Sequence, residues 1–463
     1  MPLPGYNLKS RISYILKFYK IKNPLNLRGF FYIYHMNILK ILFDKYLFVL
    51  FYFGLFFINS IEVIDRSAQY WFSISLVNIC LFAYLYFSGS NNKHFIKHLL
   101  KDKIIISFLI FLFLSLLSFF FSYNISESII SLFRYLTIFS SILLLSIYLK
   151  DSSFKIFSLI ISVIFLIELY FTFQGYLSII SQTVYSFDFA IYLAGIGANK
   201  NITAALFCMQ LPFIFFLGVY FKNYFFKILF SFLLAFSFYN VFILGSRTAL
   251  IIILLQSVLF LLVSLIFNKK IKSTLNSSYT ALIIWFLPLI FSAFIYNSSV
   301  SASNNSSIVN RVSTIDINNG SVDERLKFYN YTIDYIISNP FTPLGIGNWK
   351  ISSVNWDSHI LKGYRVPYHV HNDFLELAAE TTIFGSISYF LIFLFCALQL
   401  LKSINQSKTT YEIFFYISLL LSGAAFFIDS LLNFPISRPI QVMILVFIIS
   451  YTLVSTFKTQ KHE

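Results

Sequence analysis

The chain has 463 residues, of which 58% are hydrophobic and 20% aromatic, while only 11% are charged. A soluble domain carries about 25% charged residues, so this composition excludes a soluble multidomain enzyme, a disordered chain and a disulfide scaffold. Its apolar runs are continuous and do not alternate, which argues against a β-barrel. An all-α, polytopic helical membrane protein is expected.

In chain order, residues 1–45 form a basic segment. Lys9, Arg11, Lys17 and Lys20 alternate with Ile12, Ile15, Leu16 and Tyr19, as in a helix lying on an anionic leaflet. The segment is too long for a signal peptide and has no small-residue cleavage site. About twelve transmembrane helices are then predicted, each of roughly 20 residues. Nine fill 46–296, at 46–62, 69–88, 103–123, 129–149, 154–175, 201–220, 224–243, 247–267 and 279–296. Three more, at 378–401, 411–428 and 437–457, lie in 373–463 ahead of a short tail. Cys80, Cys208 and Cys396 sit in apolar runs and read as core residues.

With the N-terminus cytoplasmic, every alternate loop bears lysine: Lys93, Lys97, Lys101 and Lys103, then Lys150 and Lys155, Lys222 and Lys227, Lys269 to Lys272, and Lys402 and Lys408. Lys458 and Lys461 place the C-terminus on the same side, as the positive-inside rule requires. This explains most of the +15 charge without nucleic acid. It leaves one long external loop, 297–372, between spans nine and ten. Its first part is rich in Ser and Asn. Ser321-Val-Asp-Glu324 then makes a capping box, followed by Leu326, Tyr329, Ile333, Ile336 and Ile337 at helical spacing, with Pro340 closing an amphipathic helix.

Lysine and arginine sort to opposite sides. Of 25 lysines, only Lys200, Lys327, Lys350 and Lys362 fall outside, whereas six of nine arginines do: Arg66, Arg247, Arg311, Arg325, Arg365 and Arg438. Topology cannot produce this split, since both cations count equally for insertion. Arginine differs in its planar fork, which takes phosphate or carboxylate bidentately. The pattern predicts an anion site at the outer face, with pyrophosphate a good candidate. The plainer alternative is surface pairing with Asp316, Asp323, Asp334 and Asp357. Arg134 lies inside the fourth span, and Glu168 in the fifth sits at similar depth, which predicts a buried ion pair; alternatively Arg134 joins the anion site.

The long loop runs into span ten through Tyr368-His-Val-His-Asn-Asp373. Asn372 or Asp373 is a natural N-cap. A histidine there feels the positive end of the helix dipole, which keeps imidazole neutral, and a neutral imidazole beside arginines suits a general base. The alternative is a capping or interfacial histidine. Glu376 and Glu380, one turn apart, either orient His371 or an arginine, or form an ion pair between helices. Trp349, Trp356 and Tyr364 either stack on sugars or anchor at the interface.

On these residues the chain resembles the bacterial O-antigen ligases and O-antigen polymerases, with the related protein O-oligosaccharyltransferases. Their signature is His-Asn (or Ser/Gln), nine residues, Gly, two residues, then Gly, Thr or Tyr. Here His371-Asn372, the nine residues from Asp373 to Thr381, Thr382, two residues and Gly385 stand in that frame, with Thr382 replacing the first glycine. Gly245-Ser-Arg-Thr-Ala-Leu250, Ala198-Asn-Lys-Asn-Ile-Thr-Ala204, Arg325 with its helix, Asn339-Pro340 and Leu344-Gly-Ile-Gly-Asn348 are similar to further family segments in the same order. The resemblance spans about residues 195–390.

It implies a glycosyltransferase that moves a glycan from an undecaprenyl-pyrophosphate carrier to an acceptor hydroxyl at the periplasmic face of the bacterial inner membrane. The acceptor would be a lipid A core or a growing polysaccharide. His371 would be the base, and Arg247 and Arg325, with Arg311 as a third, would grip the pyrophosphate. His369, Asn372, Glu376, Glu380 and Arg134 would support them. Attack opposite the leaving group implies inversion. No Asp-x-Asp motif stands ready for a metal, so metal-independent chemistry without a cofactor is expected. The rival reading is a twelve-span transporter or flippase of lipid-linked glycans, which would show related halves and midplane polar sites; here polarity gathers at one face and in one loop.

Overall fold

Backbone buried in lipid must satisfy its own hydrogen bonds, which long apolar runs do by coiling. The computed structural model describes residues 45–57, 66–88, 92–150, 152–193, 195, 199–272, 277–300, 320–357 and 367–460, and among them every regular element is helical. In chain order these are α1 (Lys45–Gly54), α2 (Arg66–Phe87), α3 (Lys93–Leu99), α4 (Lys103–Leu117), α5 (Ile125–Leu149), α6 (Phe154–Ile180), α7 (Lys200–Tyr220) and α8 (Tyr224–Leu244). There follow α9 (Arg247–Ile266), α10 (Asn268–Lys272), α11 (Ser277–Val300), α12 (Gly320–Ser338), α13 (Trp349–Asp357), α14 (Asp373–Gln406), α15 (Thr410–Leu432) and α16 (Pro439–Gln460).

Eleven of them are long and apolar enough to cross a membrane: α2, α4 to α9, α11 and α14 to α16. The chain is a multi-pass helical membrane protein. The expected first span, 46–62, is described only in part. α1 and the 3-10 turn Leu55–Phe57 reach roughly 20 Å at helical rise, short of a hydrocarbon core of about 30 Å. Residues 58–62, the rest of that expected span, lie outside the described residues, as does the interfacial segment before Lys45.

α7 and α16 are buried along nearly their whole lengths and form the centre, while α2 and α4 turn Phe72, Ile79, Phe82 and Phe113 outward. Span direction alternates, so the bundle has two ends of different character. Arg66, Arg247, Arg325 and Arg438 gather at one. At the other, Lys150 lies over Phe95 and Phe457, and Lys155 over Tyr220 and Phe221. The cation sorting read from the sequence is therefore a sorting by end of the bundle. Arg311 and Arg365 lie outside the described residues.

α14 was expected as a single descending span. It is broken at Thr382, whose φ of 75° and ψ of 165° are non-helical. The Ser386 hydroxyl donates to the Phe374 carbonyl at 2.8 Å, although twelve residues of straight helix would separate them by roughly 18 Å. The Phe374 ring also meets Tyr389 at 5.3 Å and Phe390 at 6.3 Å. The helix doubles back. A short arm, 373–381, leads into a long arm, 383–406, and the long arm alone has length enough to span. Gly385 permits the fold-back, because a Cβ there would stand 2.7 Å from the Thr381 Cβ.

The break also strands carbonyl groups at the end of the short arm. Ala379 O accepts from Leu344 N–H at 2.9 Å, and the Glu380 carboxylate accepts from Trp349 N–H at 2.9 Å. The turn 344–348 is thus plugged into the break on one side. On its other side Asn348 exchanges hydrogen bonds with Asn124 and Ser128 of the α5 start, and Gly347 (φ 78°) packs so closely that a Cβ would fall 2.3 Å from the Ser131 hydroxyl.

The expected amphipathic helix is α12, starting at Gly320, and its packed face is turned from the expected one. Tyr329 and Ile336 pack as expected, but Leu326, Ile333 and Ile337 are exposed. Phe328, Tyr335 and buried Thr332 take their place against Leu344, Trp349 and Val370. The physical reason is Trp349, whose indole N–H donates to the Thr332 hydroxyl at 2.9 Å and fixes the rotation of the helix. Trp349 is 1% exposed, so it is core, neither a sugar platform nor an anchor. Tyr364 lies outside the described residues.

Candidate active site

His371 occupies the residue before the N-cap of the short arm. Asn372 is that cap, its side-chain oxygen accepting from Phe374 N–H at 3.0 Å and Leu375 N–H at 3.1 Å. His371 itself has φ 63°, the left-handed region, which histidine tolerates better than most residues. The Tyr329 hydroxyl holds it there by donating to the His371 carbonyl at 2.9 Å. One step upstream, the Glu376 carboxylate binds both the His369 Nδ1, at 2.8 Å, and the Val370 N–H, at 2.9 Å. His369 stacks on Phe434 with ring centres 4.2 Å apart, and the His371 ring meets the same phenyl edge-on at 5.0 Å.

Burial pushes the His371 imidazole down to about 3, and the cations of Arg325 and Arg438 add to the shift, with Asn433 opposing. The ring is neutral, and its Nδ1 has no hydrogen-bond partner. Arg325, reaching from α12, donates to Leu432 O at 3.0 Å and to the Asn433 side-chain oxygen at 3.4 Å, closing the carbonyl end of α15. Burial lowers its guanidinium from the ordinary value, and nearby Arg247 pushes the same way. Arg438 lies 4.6 Å over the Phe434 ring. Beneath them the buried Asp429 carboxylate accepts from Asn433 at 2.6 Å and Gln441 at 2.9 Å, and Asn433 reaches Thr248, next to Arg247, at 3.4 Å.

These groups enclose one cavity, lined among others by Asn199, Asn201, Arg325, His371, Asp429 and Arg438. Its volume of about 40 Å³ admits little more than a water molecule.

The structure therefore brings His371, Arg325 and Asn372 together, with Arg247 behind them and His369 and Glu376 in support. Glu380 does something else, pinning the turn at Trp349. Arg311 lies outside the described residues. The expected ion pair of Arg134 with Glu168 is not formed, for both Glu168 carboxylate oxygens are buried without a hydrogen-bond partner. Arg134 is half-buried on α5 and does not line the cavity. Sequence reasoning missed Arg438 as a site residue, with Asp429 and Asn433. The one available signal was that Arg438 sorted with the outer arginines.

A part-buried neutral imidazole and two guanidiniums thus line one cavity at one end of a helical membrane bundle. Residues 230–390 match the family model described as O-antigen ligase, which supports assigning the chain to that family and, in general terms, glycan transfer of the ligase or polymerase kind. The matched stretch holds Arg247, Arg325, His371, the break at Thr382 and Gly385, and stops before Asp429, Asn433 and Arg438. A comparison with curated proteins finds no match.

Proposed function

We propose that the chain transfers a glycan from an undecaprenyl-pyrophosphate carrier to an acceptor hydroxyl, of a lipid A core or a growing polysaccharide, at the periplasmic face of the bacterial inner membrane. The observation that carries this reading is the single cavity in which the neutral His371 imidazole faces the Arg325 and Arg438 guanidiniums. The lysine end supports the orientation, since lysine-rich loops stay cytoplasmic.

The acceptor oxygen attacks the anomeric carbon as its proton passes to the imidazole. The bond to the pyrophosphate oxygen breaks with inversion, and the leaving group keeps the electron pair. Arg325, Arg438 and Arg247 meet the charge that develops there, usually the largest catalytic contribution. Arg311 remains a further candidate. An imidazole at about 3 is a poor base. Negative charge placed beside it by the donor raises its basicity, so the donor switches the base on as it binds. Glu376, through His369 and Val370, positions the segment that carries His371.

The test is transfer by the full chain in liposomes with lipid-linked glycan and acceptor. His371→Ala should cut turnover by roughly 10²- to 10⁴-fold while the carrier still binds. Near-normal turnover would remove the base from the mechanism.

A further inference from the structure

A second cavity, of about 520 Å³, opens at the lysine end between α3, α4, α14 and α16. That volume lies in the range of small-ligand sites. Lys101, Lys103 and Lys402 line it against a single acid, Asp102. The acid is already engaged: it caps α4 through Ile104 N–H at 2.8 Å and accepts from Gln399 at 2.9 and 3.0 Å. His98, on the wall, touches the Thr456 hydroxyl at 3.4 Å, and burial holds it below the ordinary histidine range, so the positive charge is that of the lysines.

The cavity borders the lipid-facing surface. Leu398 in its wall is 51% exposed, and Leu100, next in sequence to the lining Lys101, 52%. A ligand that fits both features has a phosphate head and an apolar tail. We propose that this cavity binds the phosphate headgroup of an anionic membrane lipid, with its acyl chains lying along Leu398 and the exposed face of α4. Lys103, held over the Phe395 ring at 5.5 Å, anchors the phosphate, and Lys101 and Lys402 close on it. The site is separate from the His371 cavity, because Gln399 lies far down the long arm from the break at Thr382. Its function is retention of the chain in an anionic leaflet.

The probe is phosphatidylglycerol against an equal amount of phosphatidylcholine, with the full chain in detergent and bound lipid read by native mass spectrometry. Two net cations at about fivefold each predict a preference of roughly 30-fold for phosphatidylglycerol. In Lys101→Gln/Lys103→Gln/Lys402→Gln it should fall below about threefold. Should the triple variant fail to fold, Lys101→Gln alone should lose about fivefold, and the wild-type preference should shrink in high salt. Displacement of the lipid by millimolar glycerol phosphate would mean that the site takes a free phosphate and overturn the lipid assignment. Equal retention of the two lipids by the wild-type chain, or an unchanged preference in the folded variants, would overturn the site itself.

Discussion

The two ends of the bundle carry charge of the same sign and use it differently. At the lysine end, ammonium groups sit over aromatic rings, as Lys150 does over Phe95 and Lys155 over Phe221, or stand in solvent like Lys97. Such contacts are tolerant of geometry, which is all that orientation in a membrane requires. At the arginine end the guanidinium of Arg325 is divided between the Leu432 carbonyl and the Asn433 amide, and it adds to the burial that keeps His371 neutral. Net charge distinguishes the two ends poorly. The shape of the cation distinguishes them well.

The contrast can be broken by exchanging cations. Arg325→Lys and Arg438→Lys should each lose about 1.5–3 kcal/mol of charge-assisted bonding, hence roughly 10- to 100-fold in transfer rate. Lys222→Arg and Lys408→Arg at the other end should change it less than about twofold. Full activity in the arginine variants would erase the distinction.

Gly385→Ala places a methyl group against Thr381 and should cost about 1–3 kcal/mol by overpacking. It is read as a lower thermal midpoint and weaker transfer, partly restored by Thr381→Ala. An unchanged midpoint and rate would mean that the fold-back does not depend on this contact.

A pH profile sharpens the electrostatic half of the comparison. His371 must be neutral to accept a proton, so rate falls as pH drops through its pKa. The free protein, with His371 at about 3, should hold kcat/KM nearly flat down to mildly acid pH. The loaded protein, with donor charge beside the ring, should lose kcat at a higher pH. Arg438→Gln removes a cation that lowers this pKa and should move the acid limb of kcat/KM upward. Coincident limbs would mean that the donor does not tune the base.

The smallest effect concerns Thr382. At φ 75° and ψ 165° it occupies backbone space that is nearly glycine's own, at a cost of about 1–3 kcal/mol. Thr382→Gly should therefore stabilise the protein by roughly 1 kcal/mol after the entropy of glycine is subtracted. A lower thermal midpoint would place the strain elsewhere.

The spans were legible because hydropathy and lysine position act locally, and the short amphipathic helix because Pro340 closes it just past Ser338, while the expected cap at Ser321 falls inside the helix that begins at Gly320. The fold-back in α14 was hidden. No proline marks the stretch Glu380-Thr-Thr-Ile-Phe-Gly385, Gly385 is its single glycine, and periodicity carries no information about one backbone angle. The departure from the family signature at Thr382 marked the position without revealing the bend. Half of the site was hidden for another reason. Asp429, Asn433 and Arg438 belong to the junction of α15 and α16, some sixty residues beyond His371, and follow no local pattern that chemistry would announce. Depth alone pairs Arg134 with Glu168, and depth does not fix which faces of two helices meet.

The fold-back gives the signature's fixed spacing a physical meaning. Between Asn372 and Thr382 the chain makes about two and a half helical turns, rising roughly 14 Å. That stretch is a ruler: it starts at a cap and ends at a clamp on the 344–348 turn, so its length sets the angular phase at which His371 meets Arg325. Every residue added or removed would rotate the histidine by about 100° and displace it by about 1.5 Å. Side chains along the arm that hold neither the His369–Val370 segment nor the clamp can be exchanged within the limits of packing, unlike Glu376 and Glu380. Their number has no such latitude, because an insertion there would turn His371 out of register with Arg325 and Arg438.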